Sequence, residues 1–356
     1  MSSATDDVID LRRVLHKLVA CREDLAFDEA TALMERLVDG DFTPAQFGAL
    51  LAALRMKTEH VDELSAFVHV VRARGRRVEL GSDSERAVDL CGTGGDGPSA
   101  HVFNISTTAG IVVAGTGVPV AKHGTAAISS NSGSSDTLQA LGIGVVSGPE
   151  DVRSCLAAVG ITYMHAPVFN DGMRHLIALR RELGLHSLFN LLGPLANPAG
   201  VRRQMTGIYD ARDLQLVGRS LAATGTLKAW VVHGRDGLDE LSTMAPTDVI
   251  TVDRGAVSEL VVDPRELGLR RIDLAEVQGG WPAESARILR SVVDGTAGRA
   301  RTEIVLLNAA AALVVAERAE NLQEGLSVAE ESIRSGAAVD VLDRWVAWSK
   351  AQEVHT

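Results

Sequence analysis

The sequence predicts an α/β protein in two parts: a small helical domain, then a larger α/β domain with a mostly parallel central sheet. Three observations carry that expectation. The chain is 356 residues long, about right for two domains. Up to Gly81 its apolar residues recur only at helical spacing, and beyond Gly81 short apolar runs alternate with helical patterns, as in strands joined by crossover helices. Glycine clusters where those runs end, which is where open α/β sheets place their ligand loops.

In chain order, Val8, Leu11, Val14, Leu15, Leu18 and Val19 recur three and four apart and predict an amphipathic helix. Thr43 before Pro44 reads as an N-cap with proline at the first helical position, and Phe47, Leu50, Leu51 and Leu54 then share one face. A further helix is expected from about Val61 to Ala73, stopping near Gly75. Such an all-helical opening suggests a separate helical layer or an oligomer interface. Strand-like runs follow at Ala87 to Cys91, Gly110 to Val113, Val118 to Ala121, Ala229 to His233 and Val249 to Val252. Between Pro149 and about Leu192 the pattern is helical again, which would return the chain to the helical layer, and Ala309 to Ala316 sits in a late alanine-rich helix. The sequence holds no internal repeat and no low-complexity tract.

Composition removes several function classes. An apolar share of 46% and a charged share of 23% suit a chain that buries a sizeable core. A net charge of −11 with 4% aromatic residues is the wrong balance for a nucleic-acid or anionic-membrane binder. A local basic pocket for a phosphorylated small molecule is compatible with it. Cys21, Cys91 and Cys155 form no Cys-x-x-Cys pair, which excludes a disulfide scaffold and a structural zinc knot and fits a reducing compartment. The polar, acidic opening from Met1 to Asp7 carries no secretory signal, and the glycine-broken stretch from Gly110 to Ala121 is too short to span a bilayer. A cytoplasmic protein is expected.

The chemistry-bearing signals lie mostly at the ends of the apolar runs. Gly92-Thr93-Gly94-Gly95-Asp96 follows a strand-like run, and its glycines let backbone N–H groups converge on an anion. Alone, it reads equally well as a glycine-rich turn. Asn104-Ile105-Ser106-Thr107 reads as a capped helix start, a second source of N–H donors for phosphate. Lys122-His123-Gly124, then Ser129-Ser130 and Ser132 to Asp136, form a candidate phosphate cradle, against which stands a solvated serine loop. Asp239 and Glu240 sit just beyond a strand end, where paired carboxylates suit Mg²⁺; an acidic surface turn is the plainer alternative. Arg180 and Arg181 lie in a predicted helix and are placed either to clamp a carboxylate or to face solvent. Together, two anion loops, a lysine, an acidic pair and a helix arginine describe a site for a Mg²⁺-bound polyphosphate and a carboxylated ligand.

These segments resemble the anthranilate phosphoribosyltransferase family. The resemblance runs through Gly92 to Asp96, Asn104 to Thr107, Lys122 to Gly124, Ser129 to Asp136, Phe189 to Pro198 (FNLLGPLANP) and Val231 to Glu240 (VVHGRDGLDE), with Phe47 to Lys57 (FGALLAALRMK) at the helical start. It implies a nucleoside phosphorylase/phosphoribosyltransferase-like fold. It also implies a helical domain of residues 1–79 and about 166–196, forming a homodimer interface, and an α/β domain of residues 80–165 and 197–356 that binds phosphoribosyl pyrophosphate (PRPP) and Mg²⁺. Carried over by residue, Gly92, Gly95, Asp96, Asn104, Ser106, Thr107, Lys122, Ser130 and Ser134 match PRPP-side positions. Ser106, Asp239 and Glu240 match magnesium ligands, Arg180 matches the arginine that holds the acceptor's carboxylate, and Gly92, Thr125 and Asn170 fall at acceptor-side positions. Lys122 and His123 are the catalytic candidates.

The sequence also departs from the family's pattern, chiefly on the acceptor side. Thr125-Ala126 replace the usual Asn-Arg, Asn131 replaces a lysine, Asn170-Asp171 replace His-Pro, and His186-Ser187 replace Arg-Thr. On the donor side the segment from Gly97 to Phe103 is about two residues longer than usual, and Val102 stands where a hydroxyl residue is common. Buried polar contacts set acceptor preference, so these changes predict transfer to an aromatic carboxylic acid other than anthranilate, such as a hydroxy- or aminobenzoate. With a phenolic acceptor, His123, Asp171 and His186 are candidate bases. Anthranilate itself is the alternative acceptor; a non-catalytic nucleic-acid-binding homologue and a nucleoside phosphorylase are the readings from other classes.

Overall fold

The computed structural model describes residues 9–94, 102–125 and 132–353. The helical layer begins with α1 (Leu11–His16), α2 (Phe27–Val38), α3 (Pro44–Lys57) and α4 (Val61–Arg74). Leu11, Val14 and Leu18 are buried as the periodicity predicts, but the expected single helix stops at His16. It widens into a π-turn over Lys17–Cys21, which ends where Arg22 adopts a left-handed conformation with φ of 56°, and Val19 turns out to solvent, 62% exposed. Val8 lies outside the described residues. Thr43 caps α3 as expected: its hydroxyl accepts from Gln46 N, and the Gln46 side chain accepts from Thr43 N.

The α/β part is one seven-stranded sheet in the order β3-β2-β1-β4-β5-β6-β7. Its strands are β1 (Val88–Gly92), β2 (Val120–Gly124), β3 (Ile161–His165), β4 (Arg203–Gly207), β5 (Lys228–Gly234), β6 (Thr247–Asp253) and β7 (Ala256–Val262). The first five in spatial order run parallel, and β6 and β7 add an antiparallel hairpin at one edge. One face carries α5 (Ile105–Gly115), α12 (Pro282–Val293), α13 (Arg299–Val315), α14 (Leu322–Arg334) and α15 (Ala337–Glu353), whose apolar side chains form the largest core. The other face carries α11 (Leu214–Ala223) and the helical layer, which α9 (Arg174–Leu183) and α10 (Leu188–Leu195) join. Short helices α6 (Ser134–Ala140), α7 (Pro149–Val159) and α8 (Ala166–Phe169) complete the connections, and a third, smaller core lies beneath α7.

Three strands escape the apolar-run reading, and one run is not a strand. Gly110 to Val113 lies inside α5, a helix buried on every side, so no period distinguishes it from a strand. The stretch from Pro149 to Leu192 is interrupted by β3, so α7 belongs to the sheet and only α9 and α10 rejoin the helical layer. β4 reads Arg-Gln-Met-Thr-Gly and offers a single apolar side chain, while β7 is a mostly exposed edge strand.

The last carbonyls of α10 have no helical partners, and side chains from both layers take them up. Gly193 O accepts from His123 Nδ1 at 2.8 Å, Pro194 O from Gln204 Nε2 at 3.1 Å, and Leu195 O from Arg72 Nε and Nη2 at 3.0 and 2.6 Å. This seam fixes the helical layer against the sheet. Among the described residues no helix is long and apolar enough to cross a membrane.

Candidate active site

Four of the five parallel strands end on glycine: Gly92, Gly124, Gly207 and Gly234. The order of connection reverses between β1 and β4, and such a reversal opens a crevice at the carboxyl ends of the strands. Gly92 and Gly207 are paired there, and Thr93 N donates to Gly207 O at 2.9 Å. The loop after β5 crosses this pair closely. A Cβ on Gly207 would stand 1.5 Å from the Asp239 carbonyl oxygen, and one on Gly92 would stand 2.4 Å from Asp239 Oδ2. Glycine is required at both positions to admit the acidic pair.

The two carboxylates then bridge both anion loops. Asp239 Oδ2 accepts from Gly94 N at 2.8 Å, and Glu240 Oε1 accepts from Ser106 N, in the first turn of α5, at 3.1 Å. Lys122 Nζ donates to Leu90 O and lies 3.2 Å from Ser106 Oγ, with its side chain 1% exposed. Burial, then the neighbouring charge of Asp239, pushes the Glu240 carboxyl up to about 8, while Lys122 and the Ser106 N–H act the other way. A buried acidic pair in this state has the donor chemistry for Mg²⁺, which takes one or two carboxylates and completes its shell with water and phosphate oxygens. Among the described residues no third His, Cys, Asp or Glu joins them to make a metal cluster.

Asn104 stands at the N-cap position of α5, but its side chain does not cap the helix. Its Nδ2 donates to Ser132 O at 3.2 Å, and its Oδ1 accepts from the Thr137 hydroxyl, so it ties α5 to the serine loop. Thr107 Oγ1 donates to Ser134 Oγ at 3.1 Å along the same seam. Ser106, Thr107, Lys122, Asn104, Ser134 and the acidic pair are therefore held in one bonded cluster. Gly95, Asp96 and Ser130, with residues 97–101 of the longer segment, Ala126 and Asn131, lie outside the described residues.

The acceptor-side candidates are arranged differently. His123 Nδ1 must carry the proton it donates to Gly193 O, which leaves Nε2 unprotonated, buried and without a partner among the described residues. Burial chiefly, then the charges of Lys122 and His165, brings this imidazole down to about 4 against the opposing carbonyl bond, so it is neutral at physiological pH. Arg180 projects from α9 with its guanidinium 5.7 Å from the centre of the Phe189 ring; it has no ion-pair partner among the described residues, and burial lowers its pKa. Thr125 is exposed, and its carbonyl accepts from Tyr163 Oη at 3.3 Å. Asn170 Oδ1 meets Gly75 in the linker after α4, and the residue lines a cavity of about 420 Å³ with Arg72, Arg77 and Asn197. Asp171 forms an exposed ion pair with Arg174 at 3.0 Å, and His186 stacks on Tyr209.

The structure adds residues that motif reading missed. Asp89, buried in β1, accepts from His123 N at 3.1 Å and from Asn197 Nδ2 at 2.8 Å, and burial raises its carboxyl to about 6. Asn197 Nδ2 also donates to Ala121 O at 2.9 Å, so this pair locks the backbone that presents His123. The available signal was a lone acidic residue inside an apolar strand, which must be partnered if buried.

Comparison with known proteins matches both layers to one group. Residues 84–339 match the family model described as glycosyl transferase family, a/b domain, and residues 12–75 match its helical bundle domain. The chain is 49% identical over 325 residues to the anthranilate phosphoribosyltransferase of Anaeromyxobacter sp. (strain K), covering 91% of this chain and 95% of that one. It is 45% identical to that of Moorella thermoacetica, covering 95% and 98%. Among solved structures, the anthranilate phosphoribosyltransferase of Thermus thermophilus superposes with a TM-score of 0.87 at 34% identity over 96% of this chain and 100% of that one. The Saccharomyces cerevisiae enzyme in complex with PRPP and Mg superposes with a TM-score of 0.84 at 27% identity over 96% and 98%.

Proposed function

Because this chain belongs to the anthranilate phosphoribosyltransferase family, we propose that it transfers the 5-phosphoribosyl group of PRPP to the amine of anthranilate and releases pyrophosphate. The observation that carries the reading is the acidic pair bonded at once to the glycine loop and to the first turn of α5 over the strand-order reversal. Nothing in a plain surface turn requires that convergence.

Gly92, Gly94, Asn104, Ser106, Thr107, Lys122 and Ser134 form the donor side that the described residues supply. In the reaction the bond between ribose C1 and the pyrophosphate oxygen breaks, the amine nitrogen bonds to C1, pyrophosphate leaves with the electron pair, and the proton the amine sheds is taken up by the departing pyrophosphate. The Lys122 ammonium, beside Ser106 at the start of α5, offsets the charge that develops on the leaving group, while the Gly94 and Ser106 N–H groups hold the two carboxylates in place. Ser106, Asp239 and Glu240 would hold Mg²⁺, which when bound neutralises pyrophosphate charge. On the acceptor side Arg180 pairs with the anthranilate carboxylate, and the bare Nε2 of His123 accepts an N–H from its amine, aiming the nitrogen lone pair.

The substitutions around Thr125, Ala126 and Asn170 led to the expectation of a different aromatic acid. The relatives do not support that expectation; those at 43% to 49% identity are anthranilate enzymes. Arg180 and the neutral His123 are both kept in this chain, which supports a carboxylated acceptor with an N–H to offer. The nucleic-acid reading finds no support either, with the acidic pair intact and the chain at −11. Assembly as a homodimer through the helical layer belongs to the same reading, supported by Met56, Val19 and Phe27, which stand 87%, 62% and 39% exposed on that layer. A reducing compartment belongs to it too, supported by three unpaired cysteines.

The test is pyrophosphate release from PRPP and Mg²⁺ with anthranilate and a panel of hydroxy- and aminobenzoates. Anthranilate should be the best acceptor, and Asp239→Ala should be silent. A hydroxybenzoate turned over well ahead of anthranilate would overturn the acceptor assignment; absence of both turnover and PRPP binding would overturn the whole reading.

A further inference from the structure

Helix α13 is apolar and buried along most of its length, and Asn308 is the polar exception at its centre, with no exposed surface. A primary amide in such a place is costly unless its donors and acceptor are all used. They are: Asn308 Oδ1 accepts from Leu241 N at 3.0 Å, and Nδ2 donates to Leu241 O at 2.9 Å and to Ile304 O at 2.8 Å. The side chain thus pairs with both polar groups of a single residue, the one that follows Glu240.

That residue belongs to the loop whose position matters most. On one side the Asp239 backbone lies against Gly207 at the end of β4, so closely that no Cβ is tolerated. On the other side α13 grips Leu241 through Asn308. The rest of the loop is tied to itself: Ser242 Oγ donates to Asp236 Oδ2, Ser242 N to Thr247 Oγ1 at 3.0 Å, and Gly234 N to Leu238 O at 2.8 Å. Those bonds close the loop's two ends but do not place its acidic tip over the strand-order reversal.

We propose that Asn308 is a positioning residue for the Asp239–Glu240 pair, holding both carboxylates at the spacing that a divalent cation and a pyrophosphate group require. The proposal rests on the phosphoribosyl-transfer reading and extends it to a residue some seventy positions further along the chain, on the far side of the loop. Without the amide, Leu241 N and O are orphaned in the core, and the tip keeps only its contacts with Gly94, Ser106 and Gly207, so a shift of a fraction of an ångström that spoils a bridging site is no longer resisted from the α13 side.

The experiment measures binding rather than turnover. The thermal unfolding midpoint of the full chain is followed with pyrophosphate fixed while Mg²⁺ is titrated, giving the Mg²⁺ concentration for half-maximal stabilisation. Asn308→Ala should raise that concentration about tenfold or more, and Asn308→Ser, which keeps one polar atom and folds more readily, about threefold. Ser332→Ala is the control for lost stability alone: it removes an equally buried bond, from Ser332 Oγ to Val112 O at 2.8 Å, away from the acidic loop, and should leave the Mg²⁺ requirement within twofold of wild type. Asn308 variants with a lowered midpoint but the wild-type Mg²⁺ requirement would overturn the proposal and leave the activity reading standing. A wild-type protein that pyrophosphate and Mg²⁺ do not stabilise would overturn both.

Discussion

The two sides of the crevice are built on different principles. On the donor side nearly every polar group already has a partner within the protein: Asp239 with Gly94, Glu240 with Ser106, Lys122 with Leu90 and Ser106, and Asn104 with the serine loop. On the acceptor side His123 Nε2 is buried and, among the described residues, unpaired, and Arg180 has an aromatic face beneath it but no carboxylate among them. Preassembly suits a ligand that carries many charges, since fixed dipoles need no reorganisation when it arrives. Unpaired groups suit a small ligand that must be chosen, since a wrong acceptor leaves them unsatisfied.

The largest effects should come from breaking the preassembled side. Asp239→Ala is expected to lower turnover by about a thousandfold, the scale of losing a metal-held electrostatic contact, with little change in the unfolding midpoint. Steady-state pyrophosphate release checks it, and more than a tenth of wild-type turnover would show that the acidic pair is not central. Gly207→Ala comes next. Its methyl group collides with the Asp239 carbonyl oxygen, so the loop must move, and turnover should fall by about a hundredfold or more with a lower midpoint. A fully active Gly207→Ala protein would mean that the loop is not seated on β4 as described.

Arg180→Met tests the selecting side. Removing a charge-assisted bond to the acceptor should raise the KM for anthranilate by about a hundredfold, while PRPP binding by calorimetry stays as in wild type. A matching loss in PRPP affinity would erase the distinction between the two sides. A KM near the wild-type value would place the carboxylate elsewhere.

Much of the donor side was legible in the sequence because it depends on residue types that do one thing well in sequence-local groups. Glycines after a strand, a lysine before a glycine, and adjacent acids after an apolar run each point to an anion or a cation. The acceptor side was less legible because its logic is non-local: the tautomer of His123 is set by Gly193 seventy residues on, and its backbone is held by Asp89 and Asn197. Counting substitutions against a motif led toward another aromatic acid, an acceptor that the relatives do not support. In the fold, α3 and β5 declare themselves through caps and apolar runs. By contrast, β4 is hidden because Gln204 and Thr206 turn into the seam beneath α10, where Gln204 donates to Pro194 O and to Thr206 Oγ1. Asn308 was visible only as one polar letter in an apolar helix, and only the fold shows what it grips.

The smallest effect tests whether His123 is the neutral acceptor that the selecting side requires. Its imidazole is held at about 4 in the folded chain against 6.5 for the free group, so between those values the unfolded chain binds a proton that the folded chain does not. Stability from this residue is therefore complete above pH 6.5 and falls as the pH drops toward 4. Asp89 works in the opposite direction in an overlapping window: its carboxyl, raised to about 6, keeps a proton that the unfolded chain gives up. The whole-protein curve mixes the two, so the comparison has to be with His123→Asn, which keeps a donor near Gly193 O and removes the titration. Relative to that variant, wild type should lose about 2 kcal/mol between pH 7.5 and pH 5, measured by denaturant unfolding. Parallel curves for the two proteins would mean that the imidazole gains its proton in the fold as easily as in water. Nε2 would then be a donor at mildly acidic pH, unable to receive the amine's N–H, and the selecting side would rest on Arg180 alone.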